Sequence, residues 1–142
     1  MASYHFTTTV QMPIEQAKAA TIAALEYRGF GVLTEIDVKA TLKKKLGVDF
    51  RPYVILGACN PGMAYKALQA EEKIGTMLPC NVILQQRQDG RTEISAVDPA
   101  ASMQAIDNKE LARTAGDVGS MLRQVIEELG TGGSQPRSAA DR

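Results

Sequence analysis

The residues of this chain with the most chemistry to offer are its two cysteines, Cys59 and Cys80, each followed by an asparagine, Asn60 and Asn81. A thiolate is both a nucleophile and a soft-metal ligand. Two cysteines that meet can therefore form a reversible disulfide, carry a persulfide sulfur or hold a soft ion. In the run Leu56-Gly-Ala-Cys-Asn-Pro61, Asn60 is a good helix N-cap and Pro61 a good first helical residue, which puts Cys59 just outside a helix N-terminus. The positive end of a helix stabilises a thiolate. The amides of Asn60 and Asn81 can hold a ligand or fix the adjoining turn, and Met103 offers a thioether to a soft ion. The competing reading makes both cysteines buried corner residues, because free cysteine is among the most buried residue types.

Other chemistries find little support. With one histidine and no C-x-x-C, the chain cannot build a closed four-ligand zinc site of the usual spacing. His5, between Tyr4 and Phe6 in an extended run, reads as a surface or core residue, and no activated-serine motif accompanies it. The corner Gly57–Gly62 has the capped helix that an anion site uses but not the lysine of a phosphate-binding loop. Asp37, Asp49 and Asp98 do not pair as acid and base by spacing, and Asp98 before Pro99 reads as a turn former. No catalytic residue is assigned.

The elements that must position the cysteines follow from the pattern around them. Tyr53–Leu56 is a short β-branched and aromatic run, hence a buried strand from which the chain departs at Gly57. A helix from Pro61 to about Lys73, with Ala64, Ala67, Leu68 and Met63 inward, exits through Gly75 and Pro79 into a strand at Cys80–Arg87. Asp89-Gly90 turns that strand back into another at Thr92–Val97. Upstream lie a strand at Tyr4–Val10, an amphipathic helix from Pro13 to Gly29, a strand at Phe30–Val38 and a basic helix at Lys39–Gly47. In the basic helix Leu42 and Leu46 share one face, and Lys43, Lys44 and Lys45 read as a solvated one. After a short segment at Ala100–Ile106, a last helix from near Asn108 carries Leu111, Ala115, Val118, Leu122, Val125, Ile126 and Leu129 at three-four spacing. Gly116 and Gly119 weaken this helix or let a neighbour approach it closely.

Residues 1–130 thus form one α+β domain, a two-layer fold with a mostly antiparallel sheet and helices on one face; residues 131–142, rich in glycine and serine, read as a disordered tail. A sheet with one bare face favours a homodimer that covers it. The 16 basic and 16 acidic residues cancel and tryptophan is absent, so no nucleic-acid partner is expected. No apolar run reaches the roughly 20 residues of a membrane span. The start MASYHFTTTV lacks the features of a signal peptide, so no membrane association is expected and the cytoplasm is the expected location.

The segments Leu56-Gly-Ala-Cys-Asn-Pro61, Ala64–Leu68, Gly75 with Leu78-Pro-Cys-Asn-Val82, and Ser95-Ala-Val-Asp-Pro99 with Met103 occur in an order that resembles the bacterial and archaeal domain-of-unknown-function family three hundred and two. The resemblance spans roughly Tyr4–Leu129. It implies a small two-layer α+β domain, commonly a homodimer and without an established activity, found beside thiol and sulfur-handling proteins. Such a protein is therefore an implied partner.

Two functions follow as expectations. In the first, Cys59, Asn60, Cys80, Asn81 and Met103 line a small site for thiol redox, sulfur carriage or soft-ligand binding. In the second, the cysteines are structural and a non-catalytic dimer binds a small molecule or a protein.

Overall fold

The computed structural model describes residues 3–132. Its strands are β1 (His5–Val10), β2 (Gly31–Asp37), β3 (Tyr53–Cys59), β4 (Cys80–Gln86) and β5 (Thr92–Val97). Its helices are α1 (Ile14–Tyr27), α2 (Val38–Leu46), α3 (Pro61–Ala70), α4 (Pro99–Ser102) and α5 (Lys109–Gly132), with a 3-10 helix at Glu72–Met77. The five strands form one sheet in the order β1-β5-β4-β3-β2, every neighbouring pair antiparallel. This is the two-layer α+β architecture expected from the pattern.

Period-two alternation decides which face is covered. Val10, Val54, Leu56, Ala58, Val82, Leu84, Ile94 and Ala96 are buried on the helix side. Over them lies α5, which packs on β1, β5 and α1; its stripe Leu111, Ala115, Val118, Leu122, Val125, Ile126 and Leu129 is buried throughout, as the three-four spacing requires. Gly119 marks a close crossing, since a Cβ there would stand 3.1 Å from Oδ1 of Asp98; Gly116 has no such neighbour. Arg28 at the end of α1 donates to Gln124 at 2.9 Å and to Glu128 at 3.1 Å, tying the two helices together.

Several local expectations are corrected. Far from leaving the sheet at Gly57, the chain stays paired through Cys59, with Gly57 opposite Asn81 and Ala58 opposite Cys80. Pairing with a strand distant in sequence overrides the weak β-preference of glycine. Leu68 was expected inward but is 44% exposed. Ala67 carries the α3 contact, and Leu68 lies about 100° further around the helix. In α2 nothing is buried, and Leu46 is 69% exposed. That helix is held by its ends: Asp37 accepts from the Ala40 amide, and Gly47 adopts the left-handed conformation. Leu33 is 66% exposed, at the point where the β2–β3 register slips between Val32 and Thr34.

α3 ends at Ala70, short of Lys73. α5 runs on to Gly132, past the tail boundary expected at residue 130, while the remainder of that expected tail, residues 133–142, lies outside the described residues. Among the described residues, no helix is long and apolar enough to cross a membrane.

Candidate functional site

Two apolar clusters make up the interior. The larger, between the sheet and α1 and α5, contains Phe30, Ala58, Cys80 and Val118; the smaller gathers Ala67, Ile74, Met103, Leu111 and Ala115 where α3 meets the start of α5. Between them runs a crevice of about 40 Å³. Small residues explain why it is open: Ala58, Ala64, Ala67 and Ala115, with Pro79 and Pro99, line a seam that longer side chains would fill.

Both cysteines line this crevice. Cys59 is the last residue of β3, and Cys80 the first of β4, paired with Ala58. The register turns the Cys59 side chain to the face opposite Ala58 and Cys80, so the expected cysteine pair is corrected: both residues border the crevice, but their thiols do not form a close pair. Both are free thiols, Cys59 half-buried and Cys80 only 8% exposed. Burial, and secondarily the charge of Cys59, pushes the Cys80 thiol from the ordinary 9.0 up to about 11, so it keeps its proton at neutral pH.

Asn60 and Met103 also line the crevice. The Asn60 side chain is committed to the fold: its Oδ1 accepts from the Met63 amide at 3.3 Å, capping α3, and its Nδ2 reaches Sδ of Met121 on α5 at 3.8 Å. Asn81 stands apart. It follows Cys80 on the same strand, so its side chain belongs to the opposite face of the sheet, where it is exposed.

Met63 was read only as an inward helix residue, yet it lines the crevice with Met103. Its place in the first turn of α3, three residues after the cap, was the available signal. Asp98 acts locally, its side chain accepting from the Ala100 amide at the start of α4. His5 lies elsewhere, on the open sheet face, with Nδ1 2.7 Å from Oγ1 of Thr7.

The electrostatic character of the crevice is simple. No carboxylate, imidazole, ammonium or guanidinium is among its lining groups; asparagine, threonine and the two thiols are the only polar side chains. Among the described residues, no three His, Cys, Asp or Glu side chains gather closely enough to hold a metal ion. The donors the crevice does offer are sulfurs, from both of the chain's cysteines and two of its six methionines.

A family model described as "Domain of unknown function DUF302" matches residues 6–129. A crystal structure of an uncharacterised conserved protein DUF302 from Bacillus stearothermophilus is similar to this chain at 29% identity and a TM-score of 0.84, the match covering 90% of this chain and 99% of that one. No curated protein matches.

Proposed function

Starting from a chain that belongs to the DUF302 family of domains of unknown function, we propose that it is a binding module for a thiophilic ligand, taken up in the crevice between the two apolar clusters that Cys59 and Cys80 border. The observation that carries this reading is the gathering of both cysteines and two methionines on one small, uncharged crevice. Its size favours a ligand of one or two atoms over an organic substrate. Redox exchange and sulfur carriage are the weaker forms of the reading, because each is faster from a thiolate and Cys80 holds its proton. Two free cysteines suit a reducing compartment, so the cytoplasm is the setting proposed.

Mercuric ion is a suitable probe. Hg(II) should bind the folded chain and protect the Cys80 thiol from alkylation, and Cys80→Ser should abolish the binding. A Cys80 thiol that Hg(II) leaves unprotected, or reaches only once the protein unfolds, would overturn the reading.

A dimeric interaction module is the second reading, favoured by the bare sheet face. Ile36, Ile55 and Ile83 stand side by side across β2, β3 and β4, and Ile36 is exposed. A second copy of the chain covering this row would remove it from water. Light scattering at micromolar protein decides the point, and a monomer mass would exclude it.

A further inference from the structure

The open face of the sheet, away from the crevice, carries a cluster of charge that the thiophilic reading does not use. Tyr53 stands opposite Gln85, and Gln85 opposite Glu93. Pairing continues past that row, because the Gln86 amide donates to the Pro52 carbonyl at 3.0 Å and the Arg87 amide to the Arg91 carbonyl at 2.7 Å. One strand period further on, Arg51, Arg87 and Arg91 therefore form the next row, across the ends of β3, β4 and β5. All three line one open depression of about 840 Å³. We infer that this row binds the phosphoryl group of a small phosphorylated organic molecule.

Like charges side by side across a sheet repel, so three adjacent arginines are not what stability alone selects. Only two carboxylates serve them. Asp89 takes Arg91, whose Nε and Nη2 each lie 2.8 Å from its Oδ2. The Arg91 amide, and then its guanidinium, hold the Asp89 carboxyl below its ordinary value, so that pair stays closed at neutral pH. Glu93 takes Arg87 through a single contact, Nη1 to Oε2 at 3.3 Å, and its other oxygen accepts from Gln85 at 3.1 Å.

Among the described residues, Arg51 has no carboxylate partner. Its position is nonetheless fixed. Nε donates to Oε1 of Gln85 at 2.9 Å, and Cζ lies 4.4 Å from the Phe50 ring centroid and 6.0 Å from that of Tyr53. Both terminal nitrogens of Arg51, and Nη2 of Arg87, make no hydrogen bond within the described residues. A guanidinium fork matches two oxygens of an oxyanion. A phosphoryl group adds a third oxygen and a charge of about −1.5 to −2 for the neighbouring guanidinium, which a carboxylate lacks.

The organic part has its own place. Gln85 also lines a groove of about 340 Å³ that passes Tyr53, Ile83 and Val97 on the same face. A phosphoryl group on the arginine row puts the attached group over Tyr53, about 7 Å further along the strands.

The test is an NMR titration of the full ¹⁵N-labelled chain at low ionic strength with phenyl phosphate, inorganic phosphate and benzoate. Phenyl phosphate should shift the amides from Gln85 to Arg91 saturably, bind more tightly than the other two, and weaken as salt is added. Arg51→Gln should weaken it about fivefold or more, and Arg51→Lys, which keeps the charge without the fork, should restore only part. Arg113→Gln makes the same charge change at an exposed position of α5 and should leave binding unchanged. Tyr53→Ala should bring phenyl phosphate down to the level of inorganic phosphate, and the same spectra show that each variant is folded.

Equal losses in Arg51→Gln and Arg113→Gln would reduce the effect to net charge and overturn the site, as would shifts that do not saturate. Benzoate binding as tightly as phenyl phosphate would overturn the phosphoryl assignment.

Discussion

Cys80 is paired across the sheet with Ala58, one residue before Cys59, so a single antiparallel register sets both cysteine residues at one crevice while turning their side chains to opposite faces of the sheet. They share the crevice but not the same contact with water. Cys59 is half-buried and Cys80 is nearly sealed.

That difference sets their reactivity. In the folded protein at neutral pH, Cys59 should alkylate well before Cys80, whose thiol is pushed up to about 11. Site-by-site peptide mass spectrometry should show the Cys80 rate climbing roughly tenfold per pH unit as thiolate forms. Equal rates at pH 7 would contradict the burial that separates them.

The same thiol makes stability depend on alkali. Its folded-state value, about 11, lies above the 9.0 of an exposed thiol, so the folded chain holds this proton more tightly than the unfolded one. The contribution is complete below pH 9 and is lost as pH rises toward 11, up to about 3 kcal/mol in all. Urea unfolding of the parent and of Cys80→Ala, each measured at pH 8 and pH 10.5, isolates it. The alkaline loss should be smaller in the variant.

Gly57 lies beneath Thr34 and Pro79, and a Cβ there would collide with Oγ1 of Thr34 and stand 2.7 Å from Cγ of Pro79. Gly57→Ala should destabilise by about 1–3 kcal/mol through overpacking. Adding Thr34→Ala removes one of the two obstructions and should restore part of the loss. A double variant no more stable than Gly57→Ala alone would place the strain at Pro79.

Leucines that look alike in the sequence should separate cleanly on truncation. Leu122 is fully buried in the larger cluster, so Leu122→Ala should cost about 2–5 kcal/mol. Leu46 and Leu68 face water, and their alanine variants should stay within about 0.5 kcal/mol of the parent. A large loss at Leu46 would instead reveal a partner on α2.

How much was legible depended on how local each signal was. Asn60-Pro61 and Asp98-Pro99 each start a helix, and Asp89-Gly90 turns the β4–β5 hairpin, because caps and tight turns are decided by neighbouring residues. The long stripe of α5 was readable for the same reason. The continuation of β3 through Cys59 was not, since it depends on a partner strand beyond α3. Neither was the β2 register slip at Leu33, nor the choice between Ala67 and Leu68 as the inward side of a short helix.

The site followed the same division. Cys59, Asn60, Cys80 and Met103 reach the crevice, and Met63 joins them. Consecutive strand residues point to opposite faces, so Asn81 parts from Cys80, and Cys59 parts from Ala58 and with it from the Cys80 thiol.

α5 is common to both apolar clusters, with Leu122 and Val125 in the larger and Leu111 and Ala115 in the smaller. Five buried residues make the smaller cluster the weaker unit, with a lower free energy of opening than the whole chain. Opening of that cluster should bare the crevice beside Cys80 more often than global unfolding does. Uptake of a thiophilic ligand would then be gated by this breathing, and a ligand held in the crevice would close the seam. In hydrogen exchange, α3 and the first turns of α5 should slow on loading while the amides around Leu122 keep their rates.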